Sequence, residues 1–98
     1  MIRMKNIVHP SEILLEEFLK PTKISQNKLA LVIHVPVQRI YTITKGTHGI
    51  TADIALRLGK YLGTGPEFWT KLQSNYDLCI AASKMQKELD VIPQVAFA

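Results

Sequence analysis

Residues 24–46 read ISQNKLALVIHVPVQRIYTITKG, two short apolar repeats either side of the turn His34, Val35, Pro36, with no acidic residue anywhere in the stretch. Ser25 is a hydroxyl N-cap for the first repeat, whose Leu29, Ala30, Val32 and Ile33 recur at helical spacing and form an inward stripe. Pro36 suits the opening turn of the second repeat, because a helix start leaves that N–H unbonded in any case, and Gly46 suits its end. A helix over about 36–45 turns Ile40 and Ile43 inward. Val37, Gln38, Arg39, Tyr41, Thr42 and Lys45 then fall on its outer face. They are mostly polar, and no core requires those identities.

Working outward, HPSEILLEEFLKP (9–21) places Ile13, Leu14, Phe18 and Leu19 at helical spacing with Glu12, Glu16 and Glu17 on the opposite side. Pro10 suits its start and Pro21 its stop. After the central stretch, Thr51 caps a fourth helix with Asp53 in its first turn, Ile54, Ala55, Leu58, Tyr61 and Leu62 inward, and Gly63 at its close. GPEFW opens a fifth and longest helix from Pro66, with apolar positions Phe68, Trp69, Leu72, Tyr76, Cys79 and Ile80 continuing to Met85 and Leu89. Phe68 and Trp69 read as core packing rather than a ligand cage. Pro93 ends any continuation, and the last residues form an apolar tail. The expectation is an all-α, compact five-helix bundle in a single domain over 1–98, its core at about 9–90 and a flexible tail at 91–98.

Ninety-eight residues, 47% hydrophobic and 20% charged, have a globular balance. No apolar run reaches the roughly 20 residues of a membrane span, and MIRMKNIVHP lacks the apolar segment of a secretory signal, so a cytoplasmic protein with no membrane partner is expected. Cys79 is the single cysteine, which leaves no internal disulfide. Twelve Lys and Arg against eight Asp and Glu give a net charge of +4. The excess is unevenly placed: between Glu17 and Asp53 no acid occurs, while Lys20, Lys23, Lys28, Arg39 and Lys45 all fall in that gap with His34 and His48. Such a segment builds a positive face for a polyanion.

Two helices joined by a three- or four-residue turn, the second apolar inside and polar outside, are the parts of a helix-turn-helix. The second helix fits the major groove of B-DNA and the first crosses the backbone. On that arrangement Gln38 can pair with adenine through both ends of its carboxamide, Thr42 can bond a base or touch a thymine methyl, and Val37 can make the methyl contact alone. Gln26 at a helix N-terminus, Lys28, Arg39 and Lys45 are candidate contacts to the DNA backbone, with Arg39 alternatively a guanine reader.

The run SQNKLALVIHVPVQRIYTITKGTHGITADIALRLGKYLG resembles the Xre/Cro-type, lambda-repressor-like helix-turn-helix, in which a Ser-Gln pair opens the first motif helix and Gly ends the recognition helix. With HPSEILLEEFLKP before it and ITADIALRLGKYLGTGPEFWTKLQSNYDL within and after it, the chain is similar to the HigA (VapI-related) antitoxins from about residue 9 to residue 78. The resemblance implies a homodimer that binds operator DNA, represses its own operon and neutralises a HigB-type ribonuclease toxin. By matching positions it assigns groove contacts to Val37, Gln38 and Thr42, and backbone contacts to Gln26, Arg39 and Lys45. The chain departs from the family where a turn glycine is usual, at His34, a position that takes positive φ. ALVIH also replaces a more alanine-rich segment.

Catalysis needs an acid–base pair, an activated nucleophile or a metal set, and His9, His34 and His48 show no ligand spacing. No enzyme, cofactor or metal is expected. His9 reads as a turn or cap residue. A stand-alone Xre-type repressor and a helical protein-binding adaptor docking through residues 66–89 remain the alternatives. Two recognition helices related by a two-fold axis reach half-sites about 34 Å apart, and Tyr76, Ile80, Met85 and Leu89 are the candidate dimer interface.

Overall fold

The computed structural model describes residues 8–96, so the expectations for the first seven residues and the last two lie outside the described residues. Helix α1 covers 10–22. It opens on His9, whose ring accepts the Ser11 N–H, runs as α-helix over Pro10–Ile13, widens to a π-helix over Leu14–Leu19, and closes as α-helix over Lys20–Thr22. The chain ends α1 at Lys23, which takes the left-handed conformation (φ 59°), and not at Pro21. Pro21 has no N–H for the Glu17 carbonyl, and the widened turns before it, where Lys20 N–H reaches back to Leu15, already depart from the ordinary ladder its ring would disrupt.

Helices α2 (Gln26–Ile33) and α3 (Val37–Thr44) follow, then α4 (Ala52–Leu62), α5 (Pro66–Lys84) and the short α6 (Gln86–Asp90). No strand occurs among the described residues. Ser25 and Thr51 are the N-caps expected of them, accepting the N–H groups of Lys28 and Ile54.

The core gathers Leu14 and Leu19 of α1, Leu29 and Ile33 of α2, Ile40 and Ile43 of α3, Ile54 and Leu58 of α4, and Trp69 of α5. Trp69 is fully buried, and its indole N–H donates to Thr64 Oγ1 at 2.9 Å, which satisfies the one polar atom the ring brings inside. Phe68 lies outside this centre: its ring packs edge-on against Phe18 and Trp69, with one side exposed. Tyr61, expected inward, is exposed as well. It stands three and seven residues from the buried Leu58 and Ile54, at the margin of the α4 stripe, where α5 does not cover it.

Helices α4 and α5 meet at a close backbone crossing. A Cβ at Gly59 would stand 2.4 Å from the Gly65 carbonyl carbon, so only glycine admits the approach. The fifth helix expected over residues 66–89 breaks at Met85 (φ −111°, ψ 12°), whose N–H is shared between the Ala81 and Ala82 carbonyls. Ser83 Oγ also donates to the Ile80 carbonyl at 2.8 Å, a side-chain bond that competes with the helix ladder just before the break. Past Tyr76, the exposed Leu78 marks where α5 is no longer enclosed by the bundle. The radius of gyration is 16.5 Å where a compact chain of this length has about 13 Å. No helix among the described residues is long and apolar enough to cross a membrane.

Candidate nucleic-acid interface

The turn between α2 and α3 is built on His34. It adopts the left-handed conformation (φ 63°, ψ 49°), as the glycine usually found there predicts, and Val35 N–H closes the helix end by donating to the Ala30 carbonyl at 3.0 Å. Arg57 of α4 completes the joint. Its Nη1 donates to the Ile33 carbonyl at 2.7 Å and its Nε to Asp53 Oδ1 at 2.6 Å, so a cation sits on the negative end of α2 and an adjacent carboxylate holds it in place. Sequence reasoning missed Arg57. Its only local signal is the Asp53–Arg57 spacing of four, which is also the spacing of an ordinary surface pair.

Side-chain ties bind the outer edges of α2 and α3 together. Thr44 Oγ1 donates to Gln26 Oε1 at 2.8 Å and Tyr41 Oη donates to Asn27 Oδ1 at 3.1 Å. Gln26 therefore uses its carbonyl inside the motif, and its amide N–H groups are the part available to an outside acceptor.

Ile40 and Ile43 anchor α3 in the core, which turns Gln38, Tyr41 and Lys45 outward as its exposed side chains. The other positions of the expected outer face are partly withdrawn. Val37 is half-buried and packs against the core, since the first turn of α3 lies close over the bundle. Thr42 is half-buried and its hydroxyl donates to the Arg39 carbonyl at 2.8 Å. Arg39 is half-buried: its Nη2 donates to Thr51 Oγ1 at 3.2 Å, and its Nε is buried with no hydrogen-bond partner. Its guanidinium thus lies beside the N-cap of α4, where two positive poles converge. Lys28 is exposed on α2.

Behind α3 the chain turns at Gly46 (φ 80°), and the Thr42 carbonyl accepts the N–H groups of Thr47 and His48. Gln73 of α5 supports this loop from beneath. Its Oε1 accepts the Ile50 N–H at 2.7 Å, its Nε2 donates to Asp77 at 2.9 Å, and its amide packs so close to Gly49 that a Cβ there would meet it at 2.9 Å. The interface is therefore a rigid pair of helices, gripped from α4 by Arg57 and from α5 by Gln73. Tyr76 and Ile80 are half-buried on α5, and Tyr76 meets the His9 ring edge-on at 4.6 Å; Met85 and Leu89 are exposed beyond them. No group of His, Cys, Asp and Glu able to hold a metal ion occurs among the described residues.

Residues 15–69 match the family described as helix-turn-helix. Virulence-associated protein I of Dichelobacter nodosus is 44% identical over 86 residues, covering 88% of this chain and 80% of the relative. Among solved structures, an addiction module antidote protein of a HigA family from Coxiella burnetii is 44% identical with a TM-score of 0.83, over 90% of this chain and 98% of the other. The Pseudomonas aeruginosa antitoxin HigA with higBA promoter is 37% identical with a TM-score of 0.86, over 92% and 99%.

Proposed function

The chain belongs to the HigA (VapI-related) group of the helix-turn-helix family, and from that premise we propose that it is a DNA-binding antitoxin, one domain over 1–98, which acts in the cytoplasm as a homodimer. It represses its own operon and neutralises a HigB-type ribonuclease. It is not an enzyme. The observation that carries the reading is the outward face of α3, where Gln38 and Lys45 are exposed in a segment that holds no acid from residue 18 to residue 52.

Gln38 reads a base edge through its carboxamide, with Thr42 and Val37 offering methyl contacts at the rim of the groove. Lys45, Lys28 and the amide of Gln26 hold phosphates on either side. Arg39, half-buried beside the start of α4, supplies a further phosphate seat through its guanidinium edge. Tyr76, Ile80, Met85 and Leu89 make the dimer contact. The exposed carboxylates Glu12, Glu16 and Glu17 of α1, of which Glu16 already pairs with Lys20 at 2.8 Å, are complementary to a basic ribonuclease.

The test is fluorescence anisotropy on a duplex from upstream of the gene, beside a random duplex. Affinity for both falls steeply with salt, roughly 10³-fold between 50 and 200 mM for about six phosphate contacts. Gln38→Ala weakens the cognate duplex by about 1–3 kcal/mol and leaves the random one unchanged, whereas Lys45→Ala weakens both alike. Identical behaviour of the two variants on the two duplexes overturns the base-reading assignment, and salt-independent or absent DNA binding returns the chain to the adaptor class.

A further inference from the structure

Two features at opposite ends of the molecule lack partners and match in chemistry. The first is a groove along α4. A hollow of 410 Å³ is lined by Val32, Ile33, His34, Arg57, Lys60 and Tyr61. A second of 420 Å³, reaching Leu56, Gly59 and Pro66, shares Lys60 with it. Leu56 is 61% exposed, and no acid lines either hollow. Arg57 is already paired with Asp53, so Lys60 is the groove's unmatched cation. The second feature is the segment 88–95, ELDVIPQV, which holds two acids and no base. Val91 is 80% exposed and Ile92 63%, with Leu89 and Val95 exposed beside them.

We propose that segment 88–95 of one copy lies in the α4 groove of a second copy. Leu89, Val91 and Ile92 cover Leu56 and Tyr61, and the carboxylates of Glu88 and Asp90 face Lys60. Removing two contiguous apolar surfaces from water together supplies the attraction, and the charges set the direction in which the segment lies. This assignment rests on the homodimer of the preceding section and names the surface that receives the end of each chain.

The occupant comes from another copy because the two carboxylates, Glu88 and Asp90, cannot reach the Pro66 end of their own groove. The groove ends at Pro66, the first residue of α5, while the segment follows its last. Nineteen helical residues separate the two ends by about 28 Å. Between Lys84 and Asp90 there are six residue steps, which span at most about 21 Å when fully extended.

Sedimentation equilibrium of the full chain tests the proposal by charge exchange. Lys60→Glu alone, and Glu88→Lys with Asp90→Lys, each raise the dimer Kd about tenfold or more by opposing like charges. The three changes combined restore it to within about threefold of the unaltered protein. All three positions are exposed, so far-ultraviolet circular dichroism melts at low concentration are expected to coincide. Ile92→Asp weakens the dimer without rescue by any change at Lys60. A dimer indifferent to the reversals, or a combined variant as weak as its weaker parent, overturns the groove assignment alone. A monomeric unaltered protein overturns the homodimer reading and the groove with it.

Discussion

The helix pair α2–α3 and the distal half of α5 are both short amphipathic helical stretches, yet the molecule treats them in opposite ways. The pair is gripped at every edge: Ser25 caps it, His34 turns it, Arg57 seals its joint, and Gln26–Thr44 and Asn27–Tyr41 bind its outer rim. From Leu78 onward α5 has exposed apolar side chains and a break at Met85. On the proposed function, the rigid part is the one that presents Gln38 and Lys45 in a fixed geometry to a duplex. The loosely held part is the one that carries the segment proposed to dock on a second copy.

Substitutions that destroy the first region while sparing the second make the contrast measurable. Trp69→Ala removes the ring on which α1, α4 and α5 converge and should cost about 3–5 kcal/mol in urea unfolding. Arg57→Ala strips the Ile33 carbonyl of its donor and Asp53 of its partner; Arg57 is partly exposed, so a loss of about 1–2 kcal/mol is expected, with a matching fall in affinity for every DNA sequence. His34→Gly acts in the opposite direction. It relieves a left-handed non-glycine residue and should stabilise the fold by up to about 1 kcal/mol, read as a raised thermal midpoint. At the small end, Leu78→Ser on the distal half of α5 should change unfolding by no more than about 0.5 kcal/mol, measured at concentrations low enough to exclude association. A cost at Leu78 as large as that at Arg57 would erase the distinction between the two regions.

Much of the motif was legible from single residues. Ser25, Thr51, Pro36 and Gly46 announce helix ends by local chemistry, and Ile40 and Ile43 announce the buried side of α3 by period. His34 was legible only through the family resemblance, because the glycine usual at that position marks a left-handed turn that the backbone keeps whatever residue fills it. Arg57 was not, because its acceptor is the Ile33 carbonyl, 24 positions away and visible only once α4 has packed against α2. The withdrawal of Val37 and Thr42 from the outer face escaped notice for a similar reason. Helical period gives an angle around α3 but not how closely the bundle approaches its first turn. The π-turns of α1 and the break at Met85, where the Ser83 hydroxyl competes for a helix carbonyl, leave no apolar pattern to read.

The crossing of Gly59 with Gly65 has a mechanical consequence. Two backbones in direct contact without intervening side chains form a weld, and α5 leaves that weld as a stiff lever. In the dimer proposed above, with the copies held through the ends of their levers, the pitch at which the two heads stand apart is set at this weld, far from any base. A wider residue at position 59 would alter which operator spacing two intact heads can span before it altered what either head recognises.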